Sequence, residues 1–572
     1  MRSSAPRRLT AALLLCAGAC SPAPSVAPSE PASTATQPPA SQSATCEGIP
    51  LVAPPATQPA WADRVFYEVF VRSFQDSNGN GIGDLAGLTD RLDYLNDGDP
   101  ATQTDLGVTG IWLMPVAEAA SYHGYDVTDY TAVEHDYGDA AALKAFVAAA
   151  HELGISVIVD FVINHTSSQH PWFQEALAGG PHHDWYIWSK EDPHWPSVAG
   201  GSPWHHASNA EWFYGAFREG MPDLNLRNPE VTAEIDRIAG VWLDDFGVDG
   251  FRIDAAKHLI EDDGDHQINT PETLAWLADF GDFVHRDHPD ALIVDEVFDI
   301  STLAGRYVPE SADLTFDFGL AAAYRSALQT GRAAPITTAL GETLESWPPN
   351  RQASFLTNHD QDRILSQLNG DTVAARLAAF MLMTGPGIPF VYYGEELGMQ
   401  GRKPDERIRT PMQWSDDLPA GGFSTGEPWE PLADDWQTVN LESDDADPFS
   451  LVGTYRSLIR LRDANPALAE GATWPLDGGA EPVIGWVRAS GDDLLLVVVN
   501  VGTAAVSDYG LSLDEGPLCG VTGVEALASL PSGGVMPVPV APAITATGGL
   551  SDYAPFTSLP PRSGMVMRLT RS

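Results

Sequence analysis

The sequence predicts an α/β fold: a (β/α)₈ TIM barrel with a small domain inserted after its third strand, followed by a C-terminal antiparallel β-sandwich. Three observations predict it. From about Trp61 to Ala467, eight short β-rich runs alternate with helical stretches, the pattern of a parallel sheet with crossover helices and, at eight strands, of a closed barrel. Between His165 and Asn228 the alternation stops in favour of Trp, His, Pro and Gly, over a length unlike that of a bare loop. Beyond Ala469 the helical periods vanish, and β-rich runs such as Asp493 to Val501 alternate with Gly/Pro turns.

Residues 1–19 combine Arg2, Arg7 and Arg8 with the apolar run Leu9 to Ala17, the features of an export signal too short to span a bilayer as a mature helix. Ala17-Gly18-Ala19-Cys20 resembles a bacterial lipobox. That implies an exported protein with lipid on Cys20, held at the outer or periplasmic face of the membrane by this anchor alone; cleavage after Ala19 without lipid is the alternative. Residues 20–60 are rich in Pro, Ser, Ala and Thr and read as a flexible tether. Cys16 leaves with the signal and Cys20 goes to lipid, so Cys46 and Cys519 remain for a disulfide, a pairing the sequence leaves open.

The barrel occupies 61–164 and 229–467. Its expected strands are Val65 to Phe74, Val108 to Val116, Ser156 to Asn164, Val248 to Asp254, Ala291 to Phe298, Leu314 to Leu320, Ala353 to Asp360 and Pro389 to Leu397. One crossover helix is explicit: Asp139 caps it, Leu143, Phe146, Val147, Ala150 and Leu153 share a face, and Gly154 stops it. Residues 165–228 form the inserted domain, with no helical period before Pro229, and 468–572 the β-rich C-terminal domain.

With 31 Lys+Arg against 78 Asp+Glu, the formal charge is -47. Nucleic acid and anionic membrane surfaces both reward basic surfaces and are excluded as partners; a neutral substrate and a monomer are expected. The imbalance comes from a scarcity of lysine, since Lys144, Lys190, Lys257 and Lys403 are the whole set, and it reads as a solubility device.

Charged and polar groups interrupt four of the expected strands at their ends: Asp160-Phe-Val-Ile-Asn-His165, Gly250-Phe-Arg-Ile-Asp254, Asp295-Glu-Val-Phe298 and Phe355-Leu-Thr-Asn-His-Asp360. In a barrel these ends converge on one face, so residues about 200 apart in sequence share a pocket. A carboxylate at one strand end is as often a structural ion pair as a functional group; four motifs in order on four strands favour a site.

The four motifs resemble those of the α-amylase family of glycoside hydrolases, and Met221-Pro-Asp-Leu-Asn225 resembles the family's further signature in the inserted domain. The resemblance implies Asp254 as nucleophile, Glu296 as general acid/base and Asp360 as the carboxylate that holds the sugar hydroxyls. It implies an endo-acting α-amylase that hydrolyses α-1,4 bonds of starch and maltodextrins with retention. Arg252, two residues before Asp254 and so on the same side of the strand, is expected to lower the nucleophile's pKa, while Glu296 among apolar neighbours is expected to be raised. His165 and His359 are expected donors to sugar hydroxyls, with core histidines the alternative.

Ser121-Tyr-His-Gly-Tyr-Asp126 resembles the segment whose tyrosine, here Tyr125, stacks on the glucose being cleaved. Exo-acting relatives typically carry Asp where this chain has Tyr122, which favours an open cleft. Lys257 and His258 match a pair that receives the leaving-side glucose. Arg409-Thr-Pro-Met-Gln-Trp414 and Gly394-Glu-Glu-Leu397 point the other way, toward oligo-1,6-glucosidases and trehalose synthases. Met221-Pro-Asp-Leu-Asn225, with Met rather than Gln first, resembles a group intermediate between oligo-1,6-glucosidases and neopullulanases. An exo-acting α-glucosidase, a glucosyltransferase and a non-catalytic binding protein remain alternatives.

Asp76-Ser-Asn-Gly-Asn-Gly-Ile-Gly-Asp84 places oxygen donors at alternate positions with glycines between, as a Ca²⁺ loop requires. Asp76, Asn78, Asn80, Ile82 and Asp84 are the expected ligands, with Asn80 standing where relatives commonly have Asp; a plain Asx/Gly turn is the alternative. Asn164, a calcium ligand in many relatives, has no identifiable partner ligands in the sequence.

Overall fold

The computed structural model describes Cys46 and residues 48–50, 59–531 and 536–571. The export signal, Cys20 and most of the 20–60 tether lie outside the described residues. Cys46 is joined to Cys519 with their Cα atoms 5.5 Å apart.

Each of the eight expected runs coincides with a strand of one closed parallel barrel, the last two strands beginning one residue before their runs: Phe66–Val69, Gly110–Leu113, Ser156–Phe161, Gly250–Ile253, Leu292–Asp295, Leu314–Phe316, Gln352–Phe355 and Ile388–Tyr392. Each is shorter than its apolar run, because the chain leaves the ladder before the polar residues that end it. Alternation sorts the side chains. Phe66, Trp112, Ile158, Val294, Phe316, Phe355 and Phe390 form a cluster of their own inside the barrel, while Tyr67, Val69, Ile111, Val157, Phe251 and Ile293 join the larger core beneath the helices. The crossover helix Ala140–Glu152 begins as expected, with the Asp139 carboxylate accepting from the backbone N–H of Ala141 and Ala142.

Residues 165–228 hold a three-stranded antiparallel sheet, built from Trp188–Ser189, Trp204–His206 and Trp212–Tyr214, and one α-helix, Pro171–Leu177. The helix departs from the expectation of no helical period before Pro229. At seven residues it is too short to display one, and its His170 cap, whose ring accepts from Trp172 N, is not a usual capping residue. Trp195, Trp204 and Tyr214 pack edge to face and hold the small sheet together.

The C-terminal strands make one seven-stranded antiparallel sheet. Asp477 and Ser512 are the single paired position joining Leu511–Leu513 and Leu550–Tyr553 to the rest. The short pair therefore folds over, and Leu511, Leu550 and Tyr553 share a core with Val487, Leu496, Val498 and Met567, so two layers arise from one sheet. Two buried arginines fix this domain to the barrel: Arg462, a barrel residue that reaches across to the Ala469 backbone while donating to the carbonyls of Met383 and Gly387, and Arg488, which donates to the Thr384 carbonyl. Those carbonyls precede the eighth strand, so the C-terminal domain sits against the end of the barrel opposite the strand termini that carry the polar motifs.

Candidate active site

Strand register sets the site. Gly250–Ile253 and Leu292–Asp295 pair in parallel with Ile253 opposite Asp295, so the next residue on each, Asp254 and Glu296, leaves the barrel side by side on strands about 4.8 Å apart. Asp254, Glu296 and Asp360 line one cleft of about 460 Å³ with Tyr125, His165, Lys257 and His258. Arg252 and His359, both fully buried, stand behind it. All the expected catalytic and substrate-binding residues thus meet at one place.

Arg252 organises the carboxylates. Its Nη1 donates to Asp160 Oδ1 at 2.6 Å and to Asp254 Oδ1 at 2.7 Å. Its Nη2 lies 2.8 Å from Glu296 Oε2 but makes no aligned hydrogen bond. The nucleophile candidate therefore receives a directed bond, and Glu296 only proximity of charge. Backbone N–H of Ala255 donates to Glu296 at 3.2 Å, from a residue held at φ +51°, a left-handed conformation that costs a non-glycine residue energy and clusters at functional sites.

Behind the cleft runs a second chain of contacts. Tyr125 donates to Asp160 at 3.0 Å and meets His359 Nε2 at 2.5 Å, with its ring stacked on that of His359. The other ring nitrogen, Nδ1, sits 2.5 Å from Glu68 Oε1 of the first strand. Arg409 donates to Asp360 Oδ1 at 2.8 Å and to the His359 carbonyl at 2.9 Å.

The electrostatics follow. Burial would raise Asp360, but His359 and Arg409 outweigh it and hold the carboxyl at about 2. Burial lowers His359, yet Asp360 and Glu68 on its two sides bring it above its ordinary value. Burial raises Glu296, as expected, against Arg252. Asp254 is the correction: burial lifts it too, with Asp360 adding to the rise, beyond what Arg252 and His359 take back. Burial pushes Asp160 up to about 7. His165 and His258 fall to about 4 and about 3 through burial and are neutral.

Residues 68–471 match the family described as the α-amylase catalytic domain. The chain belongs to the α-amylase family of glycoside hydrolases. Alpha-amylase 3 of Dictyoglomus thermophilum is 35% identical over 450 residues, 78% of this chain and 86% of that protein. Oligo-1,6-glucosidase of Parageobacillus thermoglucosidasius is 30% identical over 517 residues, 77% and 90%. The crystal structure of an α-amylase from H. orenii superposes with a TM-score of 0.77 at 37% identity, over 89% of this chain and 99% of that one.

In this member of the α-amylase family, several contacts went unassigned from the sequence. Asp160 and Glu68 each carry the only charge within an otherwise uncharged strand, a signal available in the sequence; His123 and Arg218 line the cleft from loops and Asp405 from the start of the helix Asp405–Ile408, and these carried none. Tyr122 is absent from the cleft lining and stacks on Trp429 with ring centroids 5.3 Å apart. Lys257 donates to the Phe298 carbonyl and lies 3.4 Å from Asp299.

The expected calcium loop lies outside this cleft. Asn78 N–H donates to Asp76, Asn80 N–H to Asn78 and Ile82 N–H to Asn80, three successive Asx turns. Asp76 is held below the usual carboxylate range: burial opposes this, but Ser424 and the N–H groups of Gly81, Gly79 and Asn78 prevail. Two carboxylates, two amide oxygens and a carbonyl form an all-oxygen donor set that fits a hard cation. Asn78 donates its amide to Asp84 while its oxygen accepts from Asn80 N–H. Asn164 donates to Asp223 at 3.1 Å and leaves its own oxygen unpartnered.

Proposed function

We propose that this hydrolase is an endo-acting α-amylase that cleaves α-1,4-glucosidic bonds in starch and maltodextrins by retaining double displacement. Two carboxyls carried by adjacent strands in register and spanned by one guanidinium suit the separation of about 5 Å that retention needs. Asp254, with the directed bond from Arg252, attacks the anomeric carbon as an anion; Glu296, raised and without such a bond, gives its proton to the departing glycosidic oxygen. The glycosidic bond breaks as the ester to Asp254 forms. Glu296, now ionised, takes a proton from water, whose oxygen displaces Asp254 and restores both carboxyls. Asp360, ionised throughout, accepts hydrogen bonds from sugar hydroxyls and offsets positive charge that develops on the ring.

The endo reading rests on Tyr122. The residue that would close the cleft around a non-reducing end in exo-acting relatives is here an aromatic stacked on Trp429 and packed against His123, outside the cleft lining itself. One observation favours the second reading, an exo-acting α-glucosidase. Arg409, from the loop that resembles oligo-1,6-glucosidases, ties Asp360 and Asp405 together at 2.8 and 3.4 Å and walls one end. Products from starch, pullulan and maltotriose, followed in time, separate the two: internal cleavage lowers iodine staining before reducing ends accumulate, and glucose as the first product from every substrate rejects the endo reading.

We further propose that Ca²⁺ binds as a structural ion at Asp76, Asn78, Asn80, Ile82 and Asp84, supported by the oxygen donor set. The protein is exported and anchored through lipid on Cys20, supported by the residues before that cysteine.

A further inference from the structure

Residues 165–228 supply one wall of the cleft, and apart from the buried His165 that wall consists of Val198, Ala199, Phe217, Arg218 and Met221. Four of these five side chains are apolar. A glucose unit presents apolar faces edged by hydroxyls, so a wall of this kind can hold the edge only through Arg218.

Three Lys or Arg side chains line the cleft, namely Arg218, Lys257 and Arg409. Two are committed to protein acceptors: Arg409 to Asp360 and the His359 carbonyl, Lys257 to the Phe298 carbonyl and Asp299. Arg218 makes no side-chain hydrogen bond or ion pair among the described residues, although the chain holds 78 acids against 31 Lys+Arg. Its backbone, by contrast, is fixed. Met221 N–H donates to the Arg218 carbonyl at 2.9 Å, and the preceding Phe217 packs against both His165 and His258 with ring centroids 5.5 and 5.1 Å away. An exposed guanidinium on an anchored turn, with five donors in a planar fork and no internal partner, is suited to meet a ligand at small reorganisation cost.

We propose that Arg218 is a substrate-binding residue, the donor by which the inserted wall holds glucosyl hydroxyls, and that it sets affinity for oligosaccharides. The proposal rests on the reading of the cleft as an α-glucan site. A neutral ligand is favoured over a sugar phosphate because Asp254, Glu296, Asp360 and Asp405 line the same cleft and would repel an anion.

Arg218→Ala, Arg218→Lys and, as a control on the neighbouring exposed residue, Glu219→Ala are to be assayed on maltotetraose and on its 6-phosphate. Loss of a charged hydrogen bond predicts that Arg218→Ala raises KM for maltotetraose about tenfold or more while kcat stays within about twofold. Arg218→Lys, which keeps charge but not the fork, recovers part of the loss, and Glu219→Ala matches wild type. The melting temperature of all three is expected to match that of wild type, which excludes a merely structural role. An unchanged KM in Arg218→Ala, a fall in kcat alone, or a KM effect confined to the phosphorylated sugar overturns the assignment. A wild-type enzyme that leaves maltotetraose intact overturns the α-glucan reading and this proposal with it.

Discussion

Replacing Arg252 with methionine removes the cation that touches Asp160, Asp254 and Glu296 at 2.6, 2.7 and 2.8 Å while keeping similar bulk. Taking one partner from a buried charge cluster costs about 3–5 kcal/mol, so a loss of that order is expected at pH 8. The pH dependence is the sharper test. Burial raises all three carboxyls in the wild type, and Arg252 opposes each rise, so in the variant they move higher still. A carboxyl raised in the folded state binds more protons there than in the unfolded chain once pH exceeds about 4, and stability then falls as pH increases. The variant's stability should fall more steeply with pH than the wild type's. Thermal unfolding followed by circular dichroism at pH 5.5 and pH 8 should give a deficit that is large at pH 8 and smaller at pH 5.5. A deficit that is independent of pH, or that grows on acidification, would refute the claim that Arg252 acts by neutralising these acids.

Three further outcomes are expected. Asp254→Asn should abolish hydrolysis, whereas Glu296→Gln should still react with α-glucosyl fluoride, whose leaving group needs little protonation, and trap a glucosyl ester; mass spectrometry that places the adduct anywhere but Asp254 reverses the roles. Chelation should lower the melting temperature and added calcium restore it, and Asn80→Asp, by adding a third carboxylate, should move the calcium midpoint down by about tenfold; no response to chelator, or identical midpoints, removes the metal. Cys20→Ser should shift active enzyme from the membrane fraction to the soluble fraction with turnover unchanged, and unaltered fractionation would count against the anchor.

Much of the barrel was legible because an apolar run interrupted by a charge at its C-terminal end is a local signal: Gly250 to Asp254 and Ala291 to Phe298 each contain their strand and their carboxylate. The helix Pro171–Leu177 was not, since two turns carry too few residues for a 3.6-residue period to show.

The sequence by itself determined which residue types stand at the strand ends, and with them the barrel, the family and the identity of Asp254, Glu296 and Asp360 as candidates. It also placed Arg252 on the face of Asp254, because side chains two apart on a strand point the same way. Only the tertiary structure decided how charge is shared among them. Register brought Asp160 to Arg252 as a third acid, and burial of Asp254 raises it against the pull of Arg252. It placed Glu68, 291 residues from His359 in the chain, against the ring whose pKa it raises. The tertiary structure likewise turned Tyr122 onto Trp429 and left Arg218 without a partner in the cleft. Identity and spacing are properties of the chain; a proton's preferred site and a side chain's freedom depend on which groups are nearest in space and how far water is excluded.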